Sequence, residues 1–156
     1  MMNSWNTTIW PCKLMIDETQ ARHWCADLAS RLPSQVIRPH DVPYLTRYFC
    51  AGWNPTNREP GPALFLHHFV GSDPNDAVHS HPWTWGASLI LVGGYTEHRC
   101  TPDGRHSTHT YTAGTVNVLQ PRDRHRIELL GADCWTLFLA GPYAQAWGFF
   151  PSCEDM

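Results

Sequence analysis

From residue 63 onward the chain is a succession of short β-type runs, each closed by turn residues. Such a succession leaves little choice but an antiparallel sheet that curls on itself. The runs fall at about 63–70, 77–82, 87–92, 95–100, 107–112, 115–119, 124–130, 134–140 and 145–150. Residues 71–76, 101–104 and 121–123 supply the turn chemistry between them. A further run at 44–50 is rich in β-formers and precedes a breaker-dense loop over 51–62, either a tip or a lid. Helical spacing appears once. Asp17 offers an N-cap with Gln20 three residues later, and Ala21, Trp24, Cys25, Leu28 and Leu32 follow before Pro33 stops the run. This predicts a helix over about 18–31, with Trp24 on its packing face. Residues 33–43 read as a connector, and Ile9-Trp10-Pro11 as a short edge segment. The expectation is one all-β domain over 1–156: a helix-containing extension, 1–43, outside an antiparallel barrel, 44–150.

Within that frame, His79-Ser80-His81 carries the chemistry. Alternate side chains on a strand point the same way, so two imidazoles would share a face. Neutral imidazole suits several transition metals, and a third ligand is needed. His125 is the candidate, opening an alternating run in which His125, Ile127 and Leu129 face one way. Three protein ligands with an open position are a catalytic arrangement, whereas four closed ligands are structural. A polar, metal-free cavity is the alternative.

His79-x-His81, Gly93, Gly114 and Pro121-x-x-x-His125 resemble the two sequence motifs of the cupin superfamily. The resemblance implies a single cupin-type, jelly-roll β-barrel in which His79, His81 and His125 converge on one metal. The glutamate that cupins usually add should fall near Trp85 or Gly86, and neither binds metal. A bare three-histidine site, similar to that of the thiol dioxygenases, is one outcome; Glu97 recruited from the next strand is the other. Leu66-His67-His68-Phe69, His-x-His-Pro-Trp, 91–97 and Trp147-Gly148-Phe149 look more specifically like small cupin-like proteins of phage and bacterial genomes. No reaction comes with that likeness.

The cofactor expected is one divalent transition metal, Fe(II) favoured, with Zn, Ni or Mn as alternatives. The activity expected is that of an Fe(II)-dependent dioxygenase or oxygenase on a small molecule. A metal-dependent isomerase or lyase and a non-catalytic binding cupin stand as alternatives. Tyr95 and Glu97 share a strand face and are the catalytic candidates if that face points inward. His67 and His68 are adjacent, so only one faces the interior. His68 is set beside Trp83, Trp85 and Arg124 as the substrate-binding candidates.

A formal charge of −3 and a single lysine, Lys13, argue against a nucleic-acid surface. No apolar stretch approaches the roughly 18 residues of a membrane span. A small-molecule substrate is the partner expected, with a homodimer open. Met1-Met2-Asn3-Ser4-Trp5 has neither the basic start nor the apolar core of a signal peptide. Six cysteines without a C-x-x-C pair are expected to be free thiols in a reducing cytoplasm.

Overall fold

The computed structural model describes residues 13–58, 61–74 and 77–150, so Ile9-Trp10-Pro11 lies outside the described residues. Helix α1, Glu18–Ala29, is capped by Asp17, whose side chain accepts from the amides of Thr19 and Gln20. Among the described residues nine strands follow: β1 Ser34–Ile37, β2 Leu45–Ala51, β3 Ala63–Phe69, β4 Val78–His79, β5 Gly86–Cys100, β6 His106–Thr112, β7 Val116–Leu119, β8 Arg124–Ala140 and β9 Phe149–Phe150. Every pairing among them is antiparallel. The fold is an all-β, cupin-type barrel with one helix packed outside.

Two long strands close it. The C-terminal half of β8 lies between β3 and β5, and its N-terminal half between β4 and β5. The start of β5 pairs with β7 and its end with β6. Four runs that the sequence separates are thus two continuous strands. Gly93 explains one junction: its φ of +70° suits a β-bulge, and a Cβ there would meet the Asp133 carbonyl oxygen at 2.4 Å. A second departure is β1, which forms an edge strand on β2 inside the expected connector.

Both faces of the central strands are buried, for different reasons. Inward, Phe49, Phe65, Trp83, Leu119 and Phe138 form one end of the core, and Tyr44, Leu45, Phe69, Ile90 and Ile127 the other. Trp53, from the 51–62 loop, packs edge-on against Phe65 and Trp83 and so plugs the first end. Outward, Leu66, Leu91, Val92 and Trp135 receive Cys25, Ala21 and Leu28 of the helix. Trp24 is 48 % exposed and belongs to no core cluster, contrary to the packing role expected of it.

Polar contacts pin the helix in place. Arg22 grips Asp133 with two hydrogen bonds, at 2.7 and 2.9 Å, and the Gly93 amide donates to Glu18. The Arg22 and His68 contacts hold the Asp133 carboxyl at about 2, although burial opposes them. A carboxyl whose folded pKa lies below its unfolded value of about 3.9 stabilises the fold above that value. Its contribution then disappears as pH falls through the folded value. Asp133→Asn is therefore expected to cost about 1 kcal/mol at pH 7, since Arg22 is half exposed and screened by solvent. Urea midpoints of the two proteins should converge between about pH 4 and pH 2; a constant gap across that range would place the contribution elsewhere.

Cys25, Cys50 and Cys134 are free thiols. Cys100 is disulfide-bonded, which corrects the expectation of six free thiols. Scatter along the sequence carries no information about proximity in space, and the thiol count no longer supports a reducing compartment. Among the described residues no helix is long and apolar enough to cross a membrane.

Candidate metal centre

The barrel encloses a cavity of about 90 Å³, room for several waters or a ligand of a few heavy atoms. His79 reaches it from β4 and His125 from β8, as directly opposed residues of one antiparallel pair. His81 lies beyond the end of β4, yet its ring centroid is 4.9 Å from that of His79 and 4.7 Å from that of His125. One ligand atom from each of the three lies within 4.8 Å of the other two.

Carboxylates stand behind two of these rings. His125 Nδ1 donates to Glu97 Oε1, because an ionised carboxylate can only accept; Nε2 is left as a bare lone pair. Asp73 Oδ1 lies 3.3 Å from His79 Nδ1, in charge contact but out of line for a full hydrogen bond. Asp73 Oδ2 in turn accepts from the Ile127 amide at 2.6 Å, which fixes the carboxylate. The two Nε2 atoms face each other at 3.1 Å. With the His125 proton on Nδ1, this contact is a hydrogen bond when His79 carries its proton on Nε2; with the His79 proton on the Asp73 side, two lone pairs converge, an arrangement that a cation relieves. Nitrogen ligands about 2.1 Å from a metal and about 90° apart sit about 3 Å from each other, so this edge fits an ion. His81 Nδ1 is buried without a hydrogen-bond partner. Burial pushes the His81 and His125 pKa values below the usual imidazole range, favouring the neutral form that binds metal.

Glu97 is fully buried, on the inward face of β5 with Tyr95, but it does not line the cavity. It sits on the Nδ1 side of His125, so the imidazole ring separates it from the Nε2 edge. Its oxygens are taken by His125, by Asn117 Nδ2 at 2.8 Å and by Arg99 Nε and an Arg99 terminal amino group, each at 3.1 Å. Burial raises its pKa, but His125, Arg99 and Asn117 outweigh burial and hold it at about 2. Of the two outcomes left open for Glu97, this geometry has it standing behind His125 and orienting that ring, away from the edge where the three histidines meet.

Tyr95 lines the cavity and its hydroxyl accepts from Asn117 Nδ2 at 3.0 Å. Burial, then the Glu97 charge, push its pKa far up, so the phenol keeps its proton. Trp83 also lines the cavity, but Trp85 is 40 % exposed. β4 ends at His79 and β5 begins at Gly86, so both tryptophans lie between strands, where alternation does not hold their rings on one face. His68 points outward, stacked on Trp135 at 3.9 Å and bonded to Asp133. His67 is the one that faces the cavity, its ring packed beside those of Phe65 and Phe138. Arg124 lies over the Phe150 ring, 3.5 Å from its centroid, beside a separate surface depression. The sequence reading missed Asp73, hidden in a turn, and Arg47, which lines the cavity from β2. Leu45, Arg47 and Phe49 alternate on β2, and that pattern could have flagged Arg47.

No protein family's sequence profile matches the chain, and no curated protein matches it. Solved structures do. One is Fe(II)-HppE with the alternative substrate (S)-1-HPP, at TM-score 0.57 and 10 % identity over 81 % of this chain and 60 % of that one. Another is hydroxypropylphosphonic acid epoxidase from S. wedmorenis, at TM-score 0.55 and 10 % identity over 81 % and 59 %. A third is Bacillus subtilis oxalate decarboxylase with Mn(II) centres, at TM-score 0.54 and 19 % identity over 72 % and 29 %. The chain thus spans under two thirds of each neighbour's length. These likenesses establish a shared cupin fold.

Proposed function

We propose that this chain is a mononuclear metalloenzyme of the cupin type that acts on a small molecule. One divalent transition metal, Fe(II) favoured, is held by His79, His81 and His125. The observation that carries the proposal is the pair of opposed Nε2 atoms, 3.1 Å apart, with carboxylates behind both rings. Within cupins, the motifs around His67, His79 and Trp147 support a likeness to the small phage and bacterial cupin-like proteins.

A bound Fe(II) supplies redox chemistry with dioxygen, whereas Zn, Ni or Mn supplies Lewis-acid polarisation of a carbonyl or carboxylate. The chain's own residues do the rest. Glu97 and Asp73 fix the orientation of His125 and His79. Phe69, Trp83, Phe138 and Phe149 line the cavity with apolar rings and exclude water. Tyr95 holds its proton at the cavity wall, available as a hydrogen-bond donor to an oxygen of the bound molecule. An oxygenase reading follows from the three-histidine face and the Fe(II) of one fold neighbour. The Lewis-acid reading has the Mn(II) neighbour in its favour.

Elemental analysis of protein purified without a histidine tag decides both points. The expected result is near-stoichiometric metal, predominantly iron, lost in each of His79→Ala, His81→Ala and His125→Ala. Unchanged metal in all three variants would put the ion elsewhere. Zinc, nickel or manganese in place of iron would favour the Lewis-acid reading.

A further inference from the structure

Among the described residues, Arg47 is the one charged side chain at the cavity wall that the metal centre does not explain. Leu45 and Phe49, its neighbours at alternate positions of β2, are buried inward, and Arg47 follows them into the cavity. Its Nε donates to His67 Nε2 at 3.2 Å, and its guanidinium carbon lies 4.9 Å from the centroid of the Phe65 ring. Among the described residues no carboxylate pairs with it, and no acceptor meets its two terminal amino groups. The contrast with Arg99 is informative. That guanidinium meets Glu97, Asp123 and Asn117, so this fold does satisfy a buried arginine where the arginine is structural.

Burial lowers the Arg47 pKa to about 10, which still leaves it charged at neutral pH. Holding an uncompensated guanidinium against aromatic rings is costly, and an apolar side chain would avoid the cost. The charge balance points the same way. Among the described residues the buried carboxylates are Asp73, Glu97 and Asp123, and the fully enclosed guanidinium is Arg99. Glu97 and Asp123 are bonded to Arg99, and Asp73 to the Ile127 amide, so none of them neutralises the single charge of Arg47.

We infer that Arg47 anchors the carboxylate of a small monocarboxylic acid whose other end faces the histidine cluster. This names the substrate class of the proposed metal centre and rests on that reading. A guanidinium fork matches a carboxylate in shape, and one negative charge closes the balance. A phosphate-type group, carrying up to two charges near neutral pH, would exceed it. The cavity of about 90 Å³ restricts the acid to a few heavy atoms.

Calorimetric titration of the full chain with acetate, glycolate, acetamide, glycolamide and methylphosphonate tests this, with metal content measured on the same samples. Metal-loaded and chelator-treated protein are both titrated, because direct ligation by the ion could mimic selectivity for acids. The acids should bind both forms, and the amides at least about 30-fold more weakly. Arg47→Gln should weaken acid binding by a similar factor without changing metal content, and Arg47→Lys, which keeps the charge but loses the fork, should fall between. Equal binding of acids and amides to the metal-free chain overturns the inference, whether or not Arg47→Gln folds. So does acid affinity unchanged by Arg47→Gln. Tighter binding of methylphosphonate than of glycolate overturns the carboxylate assignment. Absence of metal from the natural chain overturns the metal reading alone, because the acid-against-amide comparison on metal-free protein still stands.

Discussion

Arg99→Met is expected to destabilise the fold by about 3–5 kcal/mol, which for a chain of this size lowers the melting temperature by roughly 10 °C. Arg99 is the hub of a polar network inside an otherwise apolar barrel. Its side chain is 5 % exposed and that of Glu97 is fully buried. It donates to both Glu97 oxygens, to Asn117 Oδ1 at 2.6 Å and to Asp123 Oδ2 at 3.2 Å. Methionine fills much of the same volume, so the cost comes chiefly from two carboxylates left without their cation. Forming such a network from solvated ions gains little, but breaking it by removing one partner is severe. The asymmetry gives an internal check. Adding Glu97→Gln to Arg99→Met removes one of the stranded charges, so the double variant should be less destabilised than the sum of the singles. Urea denaturation followed by circular dichroism measures all three. A loss below about 1 kcal/mol for Arg99→Met would show that water replaces the guanidinium, contradicting the burial.

The sequence disclosed the barrel because strand alternation survives in most of its runs, and it disclosed His79 and His125 because both stand at strand positions. It did not disclose that 86–100 and 124–140 are single strands. Gly93-Gly94 reads as a turn, while the fold uses Gly93 as a bulge within a continuous ladder. His67 and His68 were indistinguishable by pattern for a physical reason. Phe65 and Phe69 face the barrel interior while Leu66 faces the helix, so both sides of β3 are apolar and the alternation carries no sign. Strand parity pairs Trp83 with Trp85, but it fails because both lie between the end of β4 at His79 and the start of β5 at Gly86. Asp73 sits in a Gly-Ser-Asp-Pro stretch that any turn could contain, and its place behind His79 depends on the Ile127 amide, 54 residues away. Glu97 was legible as inward-facing but not as a bridge to Arg99. Both lie on the same face of one strand, two residues apart, and only the closed barrel shows that His125 takes the remaining side of the carboxylate.

Glu97→Gln is expected to weaken metal binding by about 10–100-fold, the loss typical of a group that orients a ligand histidine. The amide cannot satisfy both neighbours of the carboxylate it replaces. If its oxygen stays on His125 Nδ1, its NH₂ group is turned toward the Arg99 guanidinium, donor against donor. If it flips, its NH₂ group faces His125 Nδ1. The imidazole must then carry its proton on Nε2, the atom that lies 3.1 Å from His79 Nε2. The first orientation removes the negative charge that makes His125 a stronger ligand, and the second removes the lone pair itself. Either way affinity falls while His79, His81 and His125 all remain in place. Asp73→Asn provides the calibration. Its carboxylate approaches His79 at 3.3 Å without hydrogen-bond alignment, so its loss should weaken binding less than loss of Glu97. Chelator competition at one pH, on variants first shown to be folded, gives the three dissociation constants. The expected order of affinity is natural chain, Asp73→Asn, Glu97→Gln. A dissociation constant unchanged in Glu97→Gln would mean that His125 does not ligate through Nε2, because no route from Glu97 to that atom would then be energetically coupled.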